Sequence, residues 1–418
     1  MPSAIHRTLM IVSACLILSS VSASRATDVD KTTGWPEFHG AGRRNVSDET
    51  GLLKKWPDEG PKLIWKYEAC GTGFAGVAIA DNMIFTAGDF EDDEYVFALD
   101  RDGNHLWRSP NGTSWQGPSP GSRTTPTFSE GWIYHMNPTG RLAAYDAGTG
   151  KPRWAVDLRS EFGARYGTWA MSENVLVDGD KVLCLPGGTE GFAVALDKQT
   201  GKTLWVNQGI DERAAYCSPV LTTYQGVRQL VTLAQRSAVG IDVETGKLLW
   251  SHAFARVWQN TTSPVVHDGY VFVTCGHSSG GLMLKINPDL RGVSQVWFRE
   301  DFDNCHGGVI LRDGRLYGVG CRLGGKRFFC VDFHTGETKY STNELGKISI
   351  TYADGMLYCL DNRRKMSLVK PTPQGFEIVS QFLLPRGNEG PSLCHPVVYG
   401  GRLYVRHDQS LWVYDIHE

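Results

Sequence analysis

The stretch AAYDAGTGKPRW, residues 143–154, returns as VALDKQTGKTLW ending at Trp205 and as VGIDVETGKLLW ending at Trp250. Each copy sets down a small residue, then Asp, two spacers, Thr-Gly, three spacers and Trp. The closing aromatics form a series, Trp107, Trp154, Trp205, Trp250, Trp297 and, in CVDFHTGETKY, Tyr340, with 43 to 51 residues from one to the next. Self-similarity at such a period means one supersecondary unit stacked many times over, because a single unit cannot bury its apolar faces alone.

A second series runs beside the first: GVAIADNMIFT, TTPTFSEGWIYH, SENVLVDGDKVLCL, SPVLTTYQGVRQLVTL, SPVVHDGYVFVT, GGVILRDGRLYGV, SITYADGMLYCL and HPVVYGGRLYVR, eight copies in all. Asp-Gly or Gly-Gly between alternating apolar residues signals a hairpin whose two turn residues adopt positive φ. Each unit therefore holds four short strands, an inner pair around the Asp-Gly turn and an outer pair around the Thr-Gly turn. Four-stranded sheets stacked radially make a β-propeller. The predicted fold is all-β, with eight blades of four antiparallel strands. The last copy, LWVYDIHE, lacks its outer strand, and PKLIWKY around Trp65 lacks a preceding hairpin. Joined, they complete the eighth blade, so that no large sheet edge stays open. The expected organisation is a leader at residues 1–23, an extension at 24–60 that packs on the propeller, and one propeller domain at 61–418. The repeat predicts that the aromatics are structural, each wedged between neighbouring blades.

A formal charge of −3 over 418 residues, with 41% apolar and 21% charged residues, fits a globular chain with a large core. It lacks the basic footprint that polyphosphate binding needs, so nucleic acid is not an expected partner. The opening, with Arg7, an apolar run and the small residues of VSASRA, reads as a secretory signal cut after Ala23. The apolar run is too short for a membrane span. A second reading takes VSAC as a lipobox and tethers the chain by a lipid on Cys15. On either reading the protein is exported, to the periplasm or beyond the cell. Of the ten cysteines, nine follow the leader, with no adjacent pair, no C-x-x-C and no zinc spacing. Cys184, Cys275, Cys321 and Cys359 fall in apolar runs and are read as free, buried thiols.

The pattern A-x-D-x-x-T-G-x-x-x-W resembles the tryptophan-docking motif of the pyrroloquinoline quinone (PQQ) repeat propellers. Residues 144–154 and 195–205 fit it fully, 240–250 carries Gly240 for the first Ala, and 98–107 is one residue short. The segment GWPEFHGAGRRNVSDETGLLKKWPDEGPKLIWKY is likewise similar to the start of exported PQQ-like propellers. The resemblance implies the fold strongly and the function weakly, since that superfamily includes quinoprotein alcohol dehydrogenases, an outer-membrane barrel-assembly lipoprotein that is a scaffold, and extracellular sensors.

The tight Asp-Gly and Thr-Gly turns belong on one face. The opposite face collects the long connections RSPNGTSWQGPSPGSR, DLRSEFGARYGTWA, NQGIDERAAY, SHAFARVWQN and REDFDNCHGG, and loops on a rigid scaffold carry function. Aligning the inner strands on their turns gives two rings around the axis. One reads Gly76, Thr125, Glu173, Ser218, Ser263, Gly308, Ser349 and His395; the other, two residues earlier, reads Phe74, Arg123, Met171, Tyr216, Thr261, His306, Lys347 and Leu393. With Trp169, Arg213, Trp258 and Asn260 nearby, Arg123, Glu173, Tyr216, His306, Lys347 and His395 form a candidate polar funnel with aromatic walls. The same residues could also serve merely to hydrate a central channel.

The first functional class is a binding or scaffold module taking a protein, peptide, glycan or small molecule at this funnel face. Its alternative is a PQQ-dependent alcohol dehydrogenase, with quinone and Ca²⁺ in the funnel and a carboxylate as base. The dehydrogenases that the chain resembles are longer and carry an adjacent-cysteine disulfide, which is missing here. Glu173 and Asn174, and Asp301, Asp303 and Asn304, are the candidate calcium-binding fragments, with Asp303 the candidate base by position alone. A hydrolase or lyase lacks a recognisable nucleophile constellation. GGTEGF and GHSSGGL are not phosphate loops, because no helix follows them, and DNRRKM reads as a solvated loop tip.

Overall fold

The computed structural model describes residue 1, residues 34–254, 260–386 and 390–418. The proposed leader, its cleavage site and Cys15 lie outside the described residues, as does Trp258. The described residues form eight sheets, each built on four antiparallel strands in meander order. Blade 1 runs through Ala78–Ala80, Met83–Phe90, Asp93–Asp100 and His105–Thr113, and six further blades follow in sequence order. Blade 8 is shared by the two ends of the chain: Val397–Tyr399, Arg402–His407 and Ser410–Asp415 are completed by Leu63–Tyr67, paired antiparallel to the last of these. Ring closure therefore follows the pattern expected from the incomplete first and last copies.

The inner hairpins turn as their residues dictate. Asp313 and Gly314 have φ of 49° and 69°, and Asp268 and Gly269 have 47° and 72°, the doubly positive geometry that matches strand twist. In every blade the pairing of third and fourth strands slips by one residue just before the position of the closing aromatic, as between Ala195 and Leu196 opposite Trp205. The bulge re-aims that side chain toward the next blade.

There the opening phrase finds its physical reason. The indole N–H of Trp107 donates to Ala147 O (2.9 Å), Trp154 to Lys198 O (3.0 Å), Trp205 to Val243 O (2.9 Å), Trp297 to Phe333 O (3.0 Å) and Trp65 to Arg101 O (2.9 Å). Each acceptor directly follows the Asp at the outer turn of the next blade. The Asp carboxylate holds that turn: Asp242 Oδ1 accepts from the Thr245 amide (2.7 Å) and hydroxyl (2.8 Å). The Gly after Thr lies flat on the ring, and a Cβ on Gly246 would stand 2.5 Å from Trp205 Cε3. Trp250 departs from the pattern. Its indole donates within its own blade to Gln229 Oε1 (2.8 Å) and covers Gly240, where any Cβ would overlap the ring. That overlap accounts for the Gly in place of the first Ala of the motif. Blade 7 has Ser380 at the aromatic position, and its hydroxyl accepts from the Trp56 amide (2.8 Å), while the buried Trp56 ring packs on Phe382 and Tyr358.

The segment before the first blade does more than lie on the wheel. Trp35 bridges Ile79 of blade 1, and Pro36 O accepts from Phe128 of blade 2 (2.7 Å). Arg43, buried, donates to Asn174 O (2.8 Å), Val175 O (2.6 Å) and Pro219 O (2.8 Å) of blades 3 and 4 and pairs with Glu37 (2.8 Å). Asn45 bonds the Ile350 carbonyl, and Val46–Ser47 adds a fifth, parallel strand to blade 7. Residues 34–47 thus reach inner strands of blades around the ring and stopper the central channel. Arg43 and Arg44 lie beside the Asp313-Gly314 turn, so the stopper closes the tight-turn end.

Two cysteine readings part company. Cys184, Cys275 and Cys359 are buried and outside any disulfide as expected, with Cys70, Cys217, Cys330 and Cys394. Cys321 is not free: it forms a disulfide with Cys305, 16 residues away. The apolar run containing Cys321 stops being a strand at Val319, and Cys321 sits in the loop beyond it.

Candidate functional site

With one end of the channel stoppered, the other holds a cavity of about 280 Å³ on the long-loop side. The inner strands deliver its wall at the register read from the sequence. Phe74, Arg123, Tyr216, Thr261, His306 and Leu393 of one ring, and Ser218, Ser263, Gly308 and His395 of the other, line this single space. Arg123, Tyr216, His306 and His395 therefore converge, and Trp169 joins them, its ring edge-on to Tyr216 at 5.8 Å. Phe38 and His39 of the stopper form its floor.

Other candidates go elsewhere. Arg213 is exposed and lines none of the described cavities, serving through its carbonyl to accept from Gln235 N (2.9 Å). Asn260 is buried and ties down Ala234 O (2.8 Å) and Gln235 O (3.2 Å). Lys347 turns to a neighbouring cavity with Arg322 and Lys326. Glu173 lies behind the wall, one oxygen accepting from Leu185 N (2.6 Å) and the other without a partner. Burial pushes its pKa up to about 8, against the Leu185 amide and Arg43, so the carboxyl is mostly neutral at pH 7.

Four imidazoles line the funnel: His277, shared with a neighbouring cavity, and His39, His306 and His395. Burial, with His395 and Arg43 beside it, holds His39 well below the usual imidazole range. Burial also brings His395 down to about 4, with His306 adding to the effect and the Ile350 carbonyl opposing it. His306 sits within the wall, and burial there, then Lys347 and His277, lower its pKa to about 4; its ring is open to the funnel, so water moderates the shift. His39, His306 and His395 are neutral at pH 7. Asn45 Nδ2 lies 3.0 Å from His395 Nδ1, and an imidazole that accepts at Nδ1 carries its proton on Nε2. The His39 and His395 rings meet edge to face at 4.3 Å. Arg123 is held by Pro118 O (2.9 Å) and Ser119 O (2.7 Å), and burial lowers its pKa to about 10, Asp89 opposing. His39 Nε2, Thr261 Oγ1 and Ser263 Oγ are buried without a protein partner, so a ligand or water must satisfy them.

This donor set does not fit calcium, which takes six to eight oxygen ligands rich in carboxylate. No carboxylate among the described residues lines the funnel. Asp303 accepts five backbone amides, Ser278 (3.2 Å), Cys321 (2.8 Å), Arg322 (2.9 Å), Leu323 (3.1 Å) and Gly324 (3.0 Å), which makes it the organiser of a loop and leaves no oxygen poised as a base. Asp301 is forked by Arg299 (2.9 and 2.7 Å), and Asn174 and Asn304 are bonded within the wall. A line of bonds from Thr124 through His135 to Glu94 mimics a nucleophile, base and acid (3.2 and 2.6 Å), but all three are buried away from the funnel and Thr124 donates to Met136 O (2.6 Å).

The sequence missed Phe38, His39 and Asn45, whose contacts occur once and leave no period. A family model described as outer membrane protein assembly factor BamB matches residues 92–342. Quinohemoprotein alcohol dehydrogenase ADH IIB of Pseudomonas putida is 28% identical over 207 residues, 47% of this chain and 26% of that protein. ADH-IIG of the same species is 29% identical over 203 residues, 45% and 27% respectively. The chain thus matches well under two thirds of these relatives' length. Among solved structures, BamB of Moraxella catarrhalis superposes with a TM-score of 0.59 at 16% identity, covering 85% of this chain and 97% of that one. Quinohemoprotein alcohol dehydrogenase of Comamonas testosteroni gives 0.66 at 12%, covering 93% and 81%. At these identities the structural likeness is one of fold.

Proposed function

The chain belongs to the family of outer membrane protein assembly factor BamB, and from that premise we propose that it is a binding propeller, exported by the leader at residues 1–23 or tethered at Cys15, that receives its ligand or partner through the funnel on the long-loop face. The observation that carries this reading is the blind cavity of about 280 Å³, walled by Phe74, Trp169 and Tyr216 and provided with Arg123, neutral imidazoles and unpartnered hydroxyls. Aromatic faces supply contact area, and a few convergent polar atoms supply orientation.

A second reading, a PQQ-dependent dehydrogenase, draws support from what the curated relatives are called. Against it stand the engaged or neutral carboxyls, Asp301, Asp303 and Glu173. The binding reading is tested by screening small saccharides, peptides and organic acids for a change in tryptophan fluorescence. Compounds that bind should lose affinity in Tyr216→Ala and His306→Ala and keep it in Arg312→Ala on the tight-turn face. An empty screen, or hits indifferent to the funnel substitutions, would remove the proposal.

A further inference from the structure

Beside the funnel a second cavity, of about 530 Å³, opens between His277, Cys321, Arg322, Lys326 and Lys347, and His277 lines both spaces. We propose that this second cavity is an anion site at the funnel mouth, taking ligands that bear phosphate or carboxylate groups. The proposal rests on the reading that the long-loop face receives ligands.

Three cations meet here, and among the described residues Asp303 is the acid that acts on Lys347 and His277. Arg322 and Lys326 are exposed on one loop, and Lys347 faces them from the entrance to blade 7. Asp303, the acid acting on Lys347 and His277, already gives both oxygens to five backbone amides of this region. Burial, then Lys326 and Arg322, lower the Lys347 ammonium from its usual value in spite of Asp303. Like charges are thus held together at a standing cost in free energy.

The loop that holds them is built to stay in place. Its base is the Cys305–Cys321 disulfide. The Asp303 carboxylate gathers the amides of residues 321–324 from inside, and Lys326 N and Arg327 N close back onto Cys321 O (3.3 Å) and Gly324 O (2.9 Å). Gly324 is pressed against Asp301 O and Gly320, so a Cβ there would collide with backbone. A rigid loop backbone limits the freedom lost when an anion arrives, and the anion relieves the repulsion of the cations. Guanidinium offers a fork to two anion oxygens, and the two ammonium groups add point charges.

The test is calorimetric titration of the full chain in low-salt, phosphate-free buffer, with inorganic pyrophosphate in one arm and citrate in the other. Binding of either probe is expected, and the stronger arm identifies the acid group. Arg322→Gln, Lys326→Gln and Lys347→Gln should each weaken it about tenfold, the loss of one charge-assisted hydrogen bond. Lys347→Arg should retain it, and Arg44→Gln on the opposite face should leave it unchanged. Binding that survives the triple Gln variant, or no binding of either probe, would overturn the site. Tyr216→Ala separates the two proposals: it should cripple funnel ligands while sparing pyrophosphate, so either site can fail alone.

Discussion

Gly246 and Gly314 share a backbone conformation, φ of 70° and 69°, and differ in what faces them. A Cβ on Gly246 would lie 2.5 Å from Trp205 Cε3 and 2.7 Å from Cδ2, whereas one on Gly314 would meet nothing within 4 Å. Alanine in the left-handed region costs about 1–2 kcal/mol at either site. At Gly246 the ring must also yield. Overpacking adds about 1–3 kcal/mol, and displacing the indole strains its 2.9 Å bond to Val243 O. Gly246→Ala should therefore lose about 2–5 kcal/mol against about 1–2 kcal/mol for Gly314→Ala. Urea unfolding of both variants and the parent, compared at a common m-value, measures the difference. Equal losses would refute the idea that the Thr-Gly turn is conserved within the repeat because the neighbouring blade's ring lies on it.

Arg43→Met should unseat the stopper, since it abandons three buried carbonyls and leaves Glu37 unpaired, a loss of about 3–5 kcal/mol if the segment stays docked. Limited proteolysis reads it: new cleavage within residues 34–47 is expected, and unchanged protection would contradict the assignment. Glu173→Gln should become increasingly stabilising relative to the parent as pH rises from about 5 to 8. The native carboxyl has a folded pKa of about 8, raised by burial, so the unfolded chain releases its proton first and stability is lost across that window; parallel unfolding curves at pH 5 and pH 8 would refute it. For His395 the sign reverses, because a depressed folded value means stability present above about 6.5 and lost as pH falls toward 4. The imidazole NMR signal of half-buried His395 should remain that of the neutral ring at pH 5.5, and a midpoint near 6.5 would contradict its desolvation in the funnel wall.

The fold was legible because its stabilising contacts recur. Blades 1, 2, 3, 4 and 6 repeat an Asp-held turn with a Gly under a neighbouring blade's ring, and all eight carry the bulge before the aromatic position, so the same few residue types reappear at one spacing. The funnel was legible to the extent that strand register carries inward: Arg123, Tyr216, Thr261 and His306 share a ring position and a cavity. Register fails once a loop leaves the strand. Lys347 holds the same ring position as His306 yet faces Arg322 and Lys326, because the loop around Asp303 draws them into a space of their own. Asp303 looked like a base because it is an acid near the axis, and sequence alone does not show that five amides converge on it. The stopper was illegible for another reason. His39, Gly40, Gly42, Arg43 and Asn45 all take positive φ, between 56° and 72°, so the chain follows a path with neither helical nor strand periodicity. The run of Gly with Arg and Asn in FHGAGRRN was its one visible trace.

Whether the funnel binds without oxidising decides the account most directly. The measurement is steady-state dye reduction by the purified chain after incubation with PQQ and Ca²⁺, over a range of primary alcohols. With Asp303 saturated by amides and no carboxylate among the described residues in the funnel wall, the rate should not exceed that of quinone and metal alone. Alcohol-dependent turnover that requires Ca²⁺ and disappears in Asp303→Asn would contradict it.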